Sequence, residues 1–369
     1  MKAINIGKRF EIYDDSLQSF DRLPAQTYIV RFNKMSGFYL EEYSEIEISE
    51  DKIYGVHQEK VEKVLKSFEK INRSLGVILS GDKGIGKSLF AKLLSSKAIE
   101  RGLPLIVVDK FIPGIASYIE QIEQEVVVLF DEFDKTFGEI ETSENEANPQ
   151  ASLLSLFDGI SQGKKLFVVT CNELRKLNSY LVNRPGRFHY HFRFEYPTPQ
   201  EIKEYLADKL EEQYYGEIDK VIAFSRKVNI NYDCLRAITF ELNNSGEAFE
   251  KVIQDLNIIN MNALSYELTL YFEDGTVMNN KHCFLDLFSQ ELDCVCLYDL
   301  EGRASVAVKF TPANCVFDDR SRANVIMAEN LRLEYNDDED KEQVEKVKAL
   351  VPKALFITKC LEKNIHYAI

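Results

Sequence analysis

The stretch Gly81-Asp82-Lys83-Gly84-Ile85-Gly86-Lys87-Ser88 limits the folds open to this 369-residue chain more than any other feature. It fits G-x-x-x-x-G-K-[ST], the phosphate-binding P-loop, rather than an ordinary Gly-rich turn. The flanking residues give the match its force. Val77-Ile78-Leu79 precedes it and reads as a buried strand. Leu89, Phe90, Leu93, Leu94 and Ile99 come after it at helical spacing, and Gly102 ends that helix. The loop therefore joins a strand to a helix N-terminus, where backbone N–H groups and the helix dipole attract phosphate. Its glycines let the backbone wrap phosphates without Cβ clashes. Lys87 is placed to reach the β- and γ-phosphates and Ser88 to ligate Mg²⁺. The predicted nucleotide-binding set is Gly81, Asp82, Lys83, Gly84, Ile85, Gly86, Lys87, Ser88 and Leu89.

Around this loop, residues 51–196 alternate strand and helix. Strand candidates are residues 77–79, Leu105–Val108, Val126–Phe130, 166–170 and 193–194. The alternation predicts an α/β fold, a five-stranded parallel sheet with helices on both faces. Upstream, residues 1–50 contain two alternating runs, 27–32 and 37–40, which read as a β-hairpin too small for a core of its own. The hairpin is expected to pack on the α/β region downstream of it.

Residues 197–260 read as a small helical lid, with helices near 200–213, 218–226, 232–243 and 247–257. Beyond 262 the pattern changes. Residues 265–272 alternate, Asp274-Gly275 marks a tight turn, and 294–298 and 304–310 flank a second turn at 300–303. Residues 330–335 suggest another strand, and the acidic run 336–340 precedes a last helix near 342–350. Residues 262–369 are expected to form a β-rich α+β accessory domain.

A P-loop hydrolase also needs a metal-binding acid and a base. Val126-Val127-Val128-Leu129-Phe130 with Asp131-Glu132 after it matches the Walker B pattern. Asp131, at the strand's carboxyl end, is expected to reach Mg²⁺ directly or through water. Glu132 is expected to polarise the water that attacks the γ-phosphate. The next strand ends at Cys171-Asn172, where Asn172 can position that water or contact the γ-phosphate. Arg184 and Arg187 come next, in Asn183-Arg184-Pro185-Gly186-Arg187-Phe188.

In this order the P-loop, Asp131-Glu132, Asn172 and Arg184-Pro185-Gly186-Arg187-Phe188 resemble an AAA+ ATPase, most closely the classical AAA clade. The resemblance covers residues 50 to 260. It implies ATP and Mg²⁺ as cofactors, Asn172 as sensor 1, and Arg184 and Arg187 as an arginine-finger pair. Such fingers enter a neighbouring subunit's site and stabilise the transferring phosphate. A homo-oligomeric ring, a hexamer by family expectation, is therefore implied. Tyr54 and Gly55, in Ile53-Tyr54-Gly55-Val56, stand where the family lines its adenine pocket; a plain loop is the other reading. Arg236 falls where sensor 2 sits, although the family's Gly-Ala signature is absent and a surface helix arginine is the alternative.

Composition narrows what such a motor acts on. The formal net charge of −15 disfavours general binding to a phosphate backbone, although a local basic channel is compatible with it. Phe111-Ile112, with Gly114 just beyond, is similar to the family's substrate-gripping loop; the alternative is a core Phe closing a strand. A second loop, residues 136–149, carries Glu139, Glu141, Glu144 and Glu146. These acids favour a protein client over nucleic acid. Seven cysteines show no zinc spacing and read as reduced cytoplasmic thiols. His189 and His191 lack a third ligand nearby. No apolar run approaches the ~18 residues of a membrane span. The expected function is an ATP-hydrolysing motor that remodels, unfolds or disassembles a protein, with residues 262–369 recruiting the client. The alternatives are a nucleic-acid-associated motor or loader and a scaffold that uses nucleotide only for assembly.

Overall fold

Every residue of three strands is buried: β5 (Leu75–Ser80), β7 (Val126–Phe130) and β8 (Lys165–Cys171). Strands covered on both faces belong inside a sheet flanked by helices. The computed structural model that shows this describes residues 1–43, 57–138, 149–158, 163–182, 184–258, 264–299, 304–318, 320–335 and 341–360. Two compact units are present, residues 1–201 with 231–233, and residues 202–230 with 234–369.

In the first unit β1 (Lys2–Ile6) and β2 (Arg9–Tyr13) form a separate hairpin, which the sequence pattern does not reveal. The main sheet adds β3 (Thr27–Asn33), β4 (Gly37–Glu42), β6 (Leu105–Val108) and β9 (Tyr190–Arg193) in the order β4-β3-β6-β7-β8-β5-β9. The five expected strands are parallel neighbours, with the fifth at 190–193 rather than 193–194. The predicted hairpin forms, and β3 pairs parallel with β6, so the sheet has seven strands rather than five.

Side chains alternate between the two faces with the period of a strand. Val126, Val128 and Phe130 enter one hydrophobic cluster and Val127 and Leu129 the other. α1 (His57–Lys70) and α2 (Lys87–Glu100) cover the second cluster through Val64, Phe68, Phe90 and Leu94. α3 (Ile115–Glu120) covers the first through Ile115 and Ile119. Each such side chain, fully removed from water, contributes roughly 1.5–3 kcal/mol.

The second unit combines helices Ile218–Ser225, Tyr232–Ser245 and Phe249–Asp255 with an eight-stranded sheet. Its strands are β10 (Leu264–Phe272), β11 (Val277–Leu285), β12 (Asp293–Tyr298), β13 (Ser305–Phe310), β14 (Val316–Asp318), β15 (Ala323–Met327), β16 (Arg332–Glu334) and β17 (Pro352–Lys359). All pairings are antiparallel, and β10 lies between β11 and β17. The turn at Asp274-Gly275 and the β12–β13 pair stand where the sequence places them. Helices and sheet pack together: Phe224 lies 5.5 Å from both Phe249 and Phe288, and the Arg226 guanidinium stands 4.4 Å over Phe317. The helical segment and the β-rich segment are thus parts of one compact unit. Among the described residues no helix is long and apolar enough to cross a membrane.

Candidate active site

β5 delivers the chain to the P-loop at the carboxyl edge of the sheet, and α2 begins at Lys87. Gly81, Gly84 and Gly86 all have positive φ, at 139°, 74° and 98°. At Gly84 space is limiting as well, since a Cβ there would lie 2.4 Å from the Asn231 side-chain nitrogen. The Asn231 amide donates to the Lys83 carbonyl at 3.2 Å, and the Tyr232 N–H donates to the Gly84 carbonyl at 3.2 Å. Sequence reasoning missed this brace, because the two segments lie far apart in the chain. Asp82, Lys83 and Ser88 are exposed, whereas Ile85 is buried and Leu89 packs against the second cluster.

The Lys87 ammonium is buried and donates to the carbonyls of Gly81 (2.6 Å) and Asp82 (2.5 Å). These are acceptors that a phosphate oxygen can replace. Burial pulls the Lys87 pKa down, opposed by the fields of carboxylates that include Asp82, Asp134 and Asp131. The Cys171 thiol is pushed up to about 12 by burial, with Asp134 adding to the shift, so it stays protonated.

β8 lies between β5 and β7, and its register sets the middle of the site. Ser80 pairs with Cys171 and Phe130 with Val169, so Asn172 emerges beside Gly81 and Thr170 beside Asp131. The Thr170 hydroxyl donates to the Asp131 carboxylate at 2.6 Å and accepts the Glu132 N–H at 2.8 Å. One side chain thus fixes both acids. Sequence reasoning missed Thr170 because a Thr in a strand is ordinary β-branched filling.

Glu132 has φ 46°, a left-handed conformation costing a non-glycine residue on the order of 1–3 kcal/mol. It turns the chain from β7 into the helical turn Phe133–Thr136. Its carboxylate is about half exposed and pairs with Lys135. Ser88, in the first turn of α2, and Asp131, just past the end of β7, are exposed oxygen donors, the donor type that Mg²⁺ takes beside phosphates and waters. The fit supports that ion. Among the described residues, no cluster of three or more His, Cys, Asp or Glu could hold a metal by itself.

The two arginines occupy different environments. Arg187 is almost buried: its guanidinium pairs with Asp158 through two bonds, one of 2.7 Å, and donates to the Tyr180 carbonyl at 2.7 Å. The Arg187 hydrogen bonds hold the Asp158 carboxyl below its ordinary range. Arg184 is exposed and lies 5.6 Å over the Tyr180 ring. Arg73 steadies the turn by donating to the carbonyls of Gly186 (3.2 Å) and Pro185 (3.4 Å).

The turn rests on the start of β5. The His189 N–H bonds the Gly76 carbonyl at 2.9 Å, and a Cβ on Gly76 would lie 2.4 Å from the Arg187 carbonyl oxygen and 2.6 Å from the Phe188 ring. Gly76→Ala is therefore expected to cost about 1–3 kcal/mol through overpacking, read as a lowered melting temperature. An unchanged melting temperature would refute that contact.

The remaining candidates are less concentrated. Phe111 is half buried, with its ring edge-on to Phe137 at 5.8 Å, so the packing reading applies to much of its side chain. Pro113 and Gly114 form the exposed tip of that loop. His191 lies 2.7 Å from the Ser80 hydroxyl, and His189 sits edge-on to Tyr190. Arg236 lies in the second unit, on helix Tyr232–Ser245. Tyr54, Gly55 and the acids at 139, 141, 144 and 146 lie outside the described residues.

The P-loop, the Asp131-Glu132 pair and the register of Asn172 define a P-loop nucleotide site on an α/β core. Residues 77–196 match the family described as "ATPase family associated with various cellular activities (AAA)". This part of the chain belongs to that family and is an AAA ATPase domain. The chain is 29% identical over 167 residues to an "AAA ATPase forming ring-shaped complexes" of Corynebacterium kroppenstedtii, covering 37% of this chain and 28% of the relative. It is 29% identical over 146 residues to "Tat-binding homolog 7" of Caenorhabditis briggsae, covering 35% and 11%. It is 26% identical over 142 residues to the "Cell division cycle protein 48 homolog" of Archaeoglobus fulgidus, covering 36% and 19%. The matches thus span less than a third of these relatives' lengths.

Proposed function

We propose that the chain is a cytoplasmic, Mg²⁺-dependent ATP-hydrolysing motor that assembles into a homo-oligomeric ring and remodels a protein client. One observation carries the oligomeric reading. Arg184 and Arg187 sit in a turn against Gly76, at the amino end of β5, whereas the P-loop leaves its carboxyl end. At ~3.3 Å per strand residue, five residues separate the turn from Gly81 by roughly 17 Å. An arginine side chain cannot span that gap, so exposed Arg184 serves a phosphate held by a second copy. The ring named for the Corynebacterium relative supports the same reading.

Within the site, Lys87 and the loop amides hold the phosphates, and Asp131 and Ser88 would hold Mg²⁺. The metal supplies charge neutralisation on the phosphates. Glu132 takes the proton of the attacking water, and Asn172 orients that water. The acidity of the chain supports a protein client, recruited through residues 262–369. Free thiols throughout, including exposed Cys294 and Cys296, suit a reducing cytoplasm.

An unfolded polypeptide is expected to raise steady-state ATP turnover, and single-stranded DNA is not. Stimulation by DNA that falls steeply with salt would overturn the protein-client reading.

A further inference from the structure

Asp134 is a buried carboxylate with no part in the hydrolytic scheme of Lys87, Asp131, Glu132 and Asn172. It stands two residues beyond Glu132, on the turn Phe133–Thr136, and only 4% of it is exposed. Phe133 and Phe137, both fully buried, fix that turn in the first hydrophobic cluster. One carboxylate oxygen accepts the Glu173 N–H at 3.0 Å. The other is buried with no hydrogen-bond partner among the described residues. An acid in such a position is costly unless a specific contact needs it.

The contact it makes is with the peptide immediately after Asn172. β8 ends at Cys171, so past that point no ladder bond holds the chain. The Asp134 bond to Glu173 replaces the ladder at the residue where Asn172 must be held. Asp134 also lies close enough to Lys87 for its charge to act on that ammonium. It therefore joins two parts of the site, the Walker B turn and the exit of β8.

We propose that Asp134 is a positioning residue that sets Asn172 for hydrolysis by anchoring the Glu173 peptide. This rests on the proposed role of Asn172 in orienting the attacking water. The carboxylate touches no substrate; it acts by fixing the peptide that carries the sensing amide. A displacement of an orienting group by about 1 Å can cost about 10²-fold in rate.

Two measurements decide it. The first is independent of activity: amide hydrogen exchange at Glu173 in full-length protein. Asp134→Ala is expected to accelerate exchange there at least about tenfold, the signature of a lost hydrogen bond. Asp134→Asn keeps an acceptor oxygen and is expected to restore most of the protection. Unchanged exchange in Asp134→Ala overturns the anchor.

The second is a double-mutant cycle on ATP turnover. Asp134→Ala is expected to lower kcat about 10²-fold with nucleotide affinity within about threefold of the parent. Asp134→Ala combined with Asn172→Ala is expected to be no slower than Asn172→Ala alone. Full additivity overturns positioning through Asn172. Should Asp134→Ala not fold, Asp134→Ser shortens the acceptor without emptying the pocket and carries the same tests. A parent protein without hydrolysis sinks the functional reading instead, and exchange at Glu173 then decides the anchor alone.

Discussion

Glu132→Gln should lower ATP turnover by about 10²–10⁴-fold while leaving nucleotide affinity near that of the parent. The two effects separate because the residues proposed to bind phosphate and the residue proposed to activate water are on different elements. Lys87 and the loop amides lie between β5 and α2, and Glu132 stands at the exit of β7. Gln is isosteric, so the left-handed turn at 132 and its N–H bond to Thr170 survive. What disappears is the proton acceptor, along with the ion pair to Lys135. That pair is solvent-facing and contributes little to stability. Phosphate release, measured beside a nucleotide-binding titration, separates the two quantities. Turnover in the parent range would show that another group activates the water.

Arg184→Ala should be nearly as damaging, by about 10³-fold in turnover, with binding and folding intact. Its guanidinium is exposed, and its nearest aromatic contact is the face of Tyr180, so removing it leaves no buried partner stranded. Arg187→Ala is a different experiment. It strands Asp158 and frees the Tyr180 carbonyl, and so loosens the turn that carries Arg184. Loss of activity there mixes chemistry with stability. The sequence treats the two arginines as an equivalent pair, and the structure separates them into an exposed cation and an internal clamp.

That contrast illustrates what could be read from residues alone. The P-loop was legible because its glycines answer a local backbone demand, and because a buried strand and a periodic helix flank it. The parallel core was legible because each strand is a short apolar run bounded by turns. Pairings between distant segments were not. Nothing local in residues 27–29 announces Leu105, Ile106 and Val107 as parallel neighbours, so the hairpin's place in the main sheet was invisible. The same holds for Arg187 with Asp158, 29 residues apart, and for Asn231 with Lys83. Thr170 and Asp134 were hidden differently. A Thr in a strand and a third acid in Asp131-Glu132-Phe133-Asp134 look unremarkable until their hydrogen-bond partners are known. In the second unit the β10–β11 hairpin with its Asp274-Gly275 turn and the β12–β13 pair were legible, whereas β14, β15 and β17 depend on returns of the chain that no short motif marks.

The central claim is that the site is completed by a neighbouring subunit, and mixing two inactive variants tests it most directly. Lys87→Ala chains keep Arg184 but cannot hold phosphate, and Arg184→Ala chains keep the P-loop but lack the exposed cation. At intermediate ratios some interfaces combine an intact Lys87 with an intact Arg184. ATP turnover at those ratios should rise above that of either variant alone. If no ratio gives more turnover than the parents, with both variants shown to co-assemble, Arg184 does not act in trans.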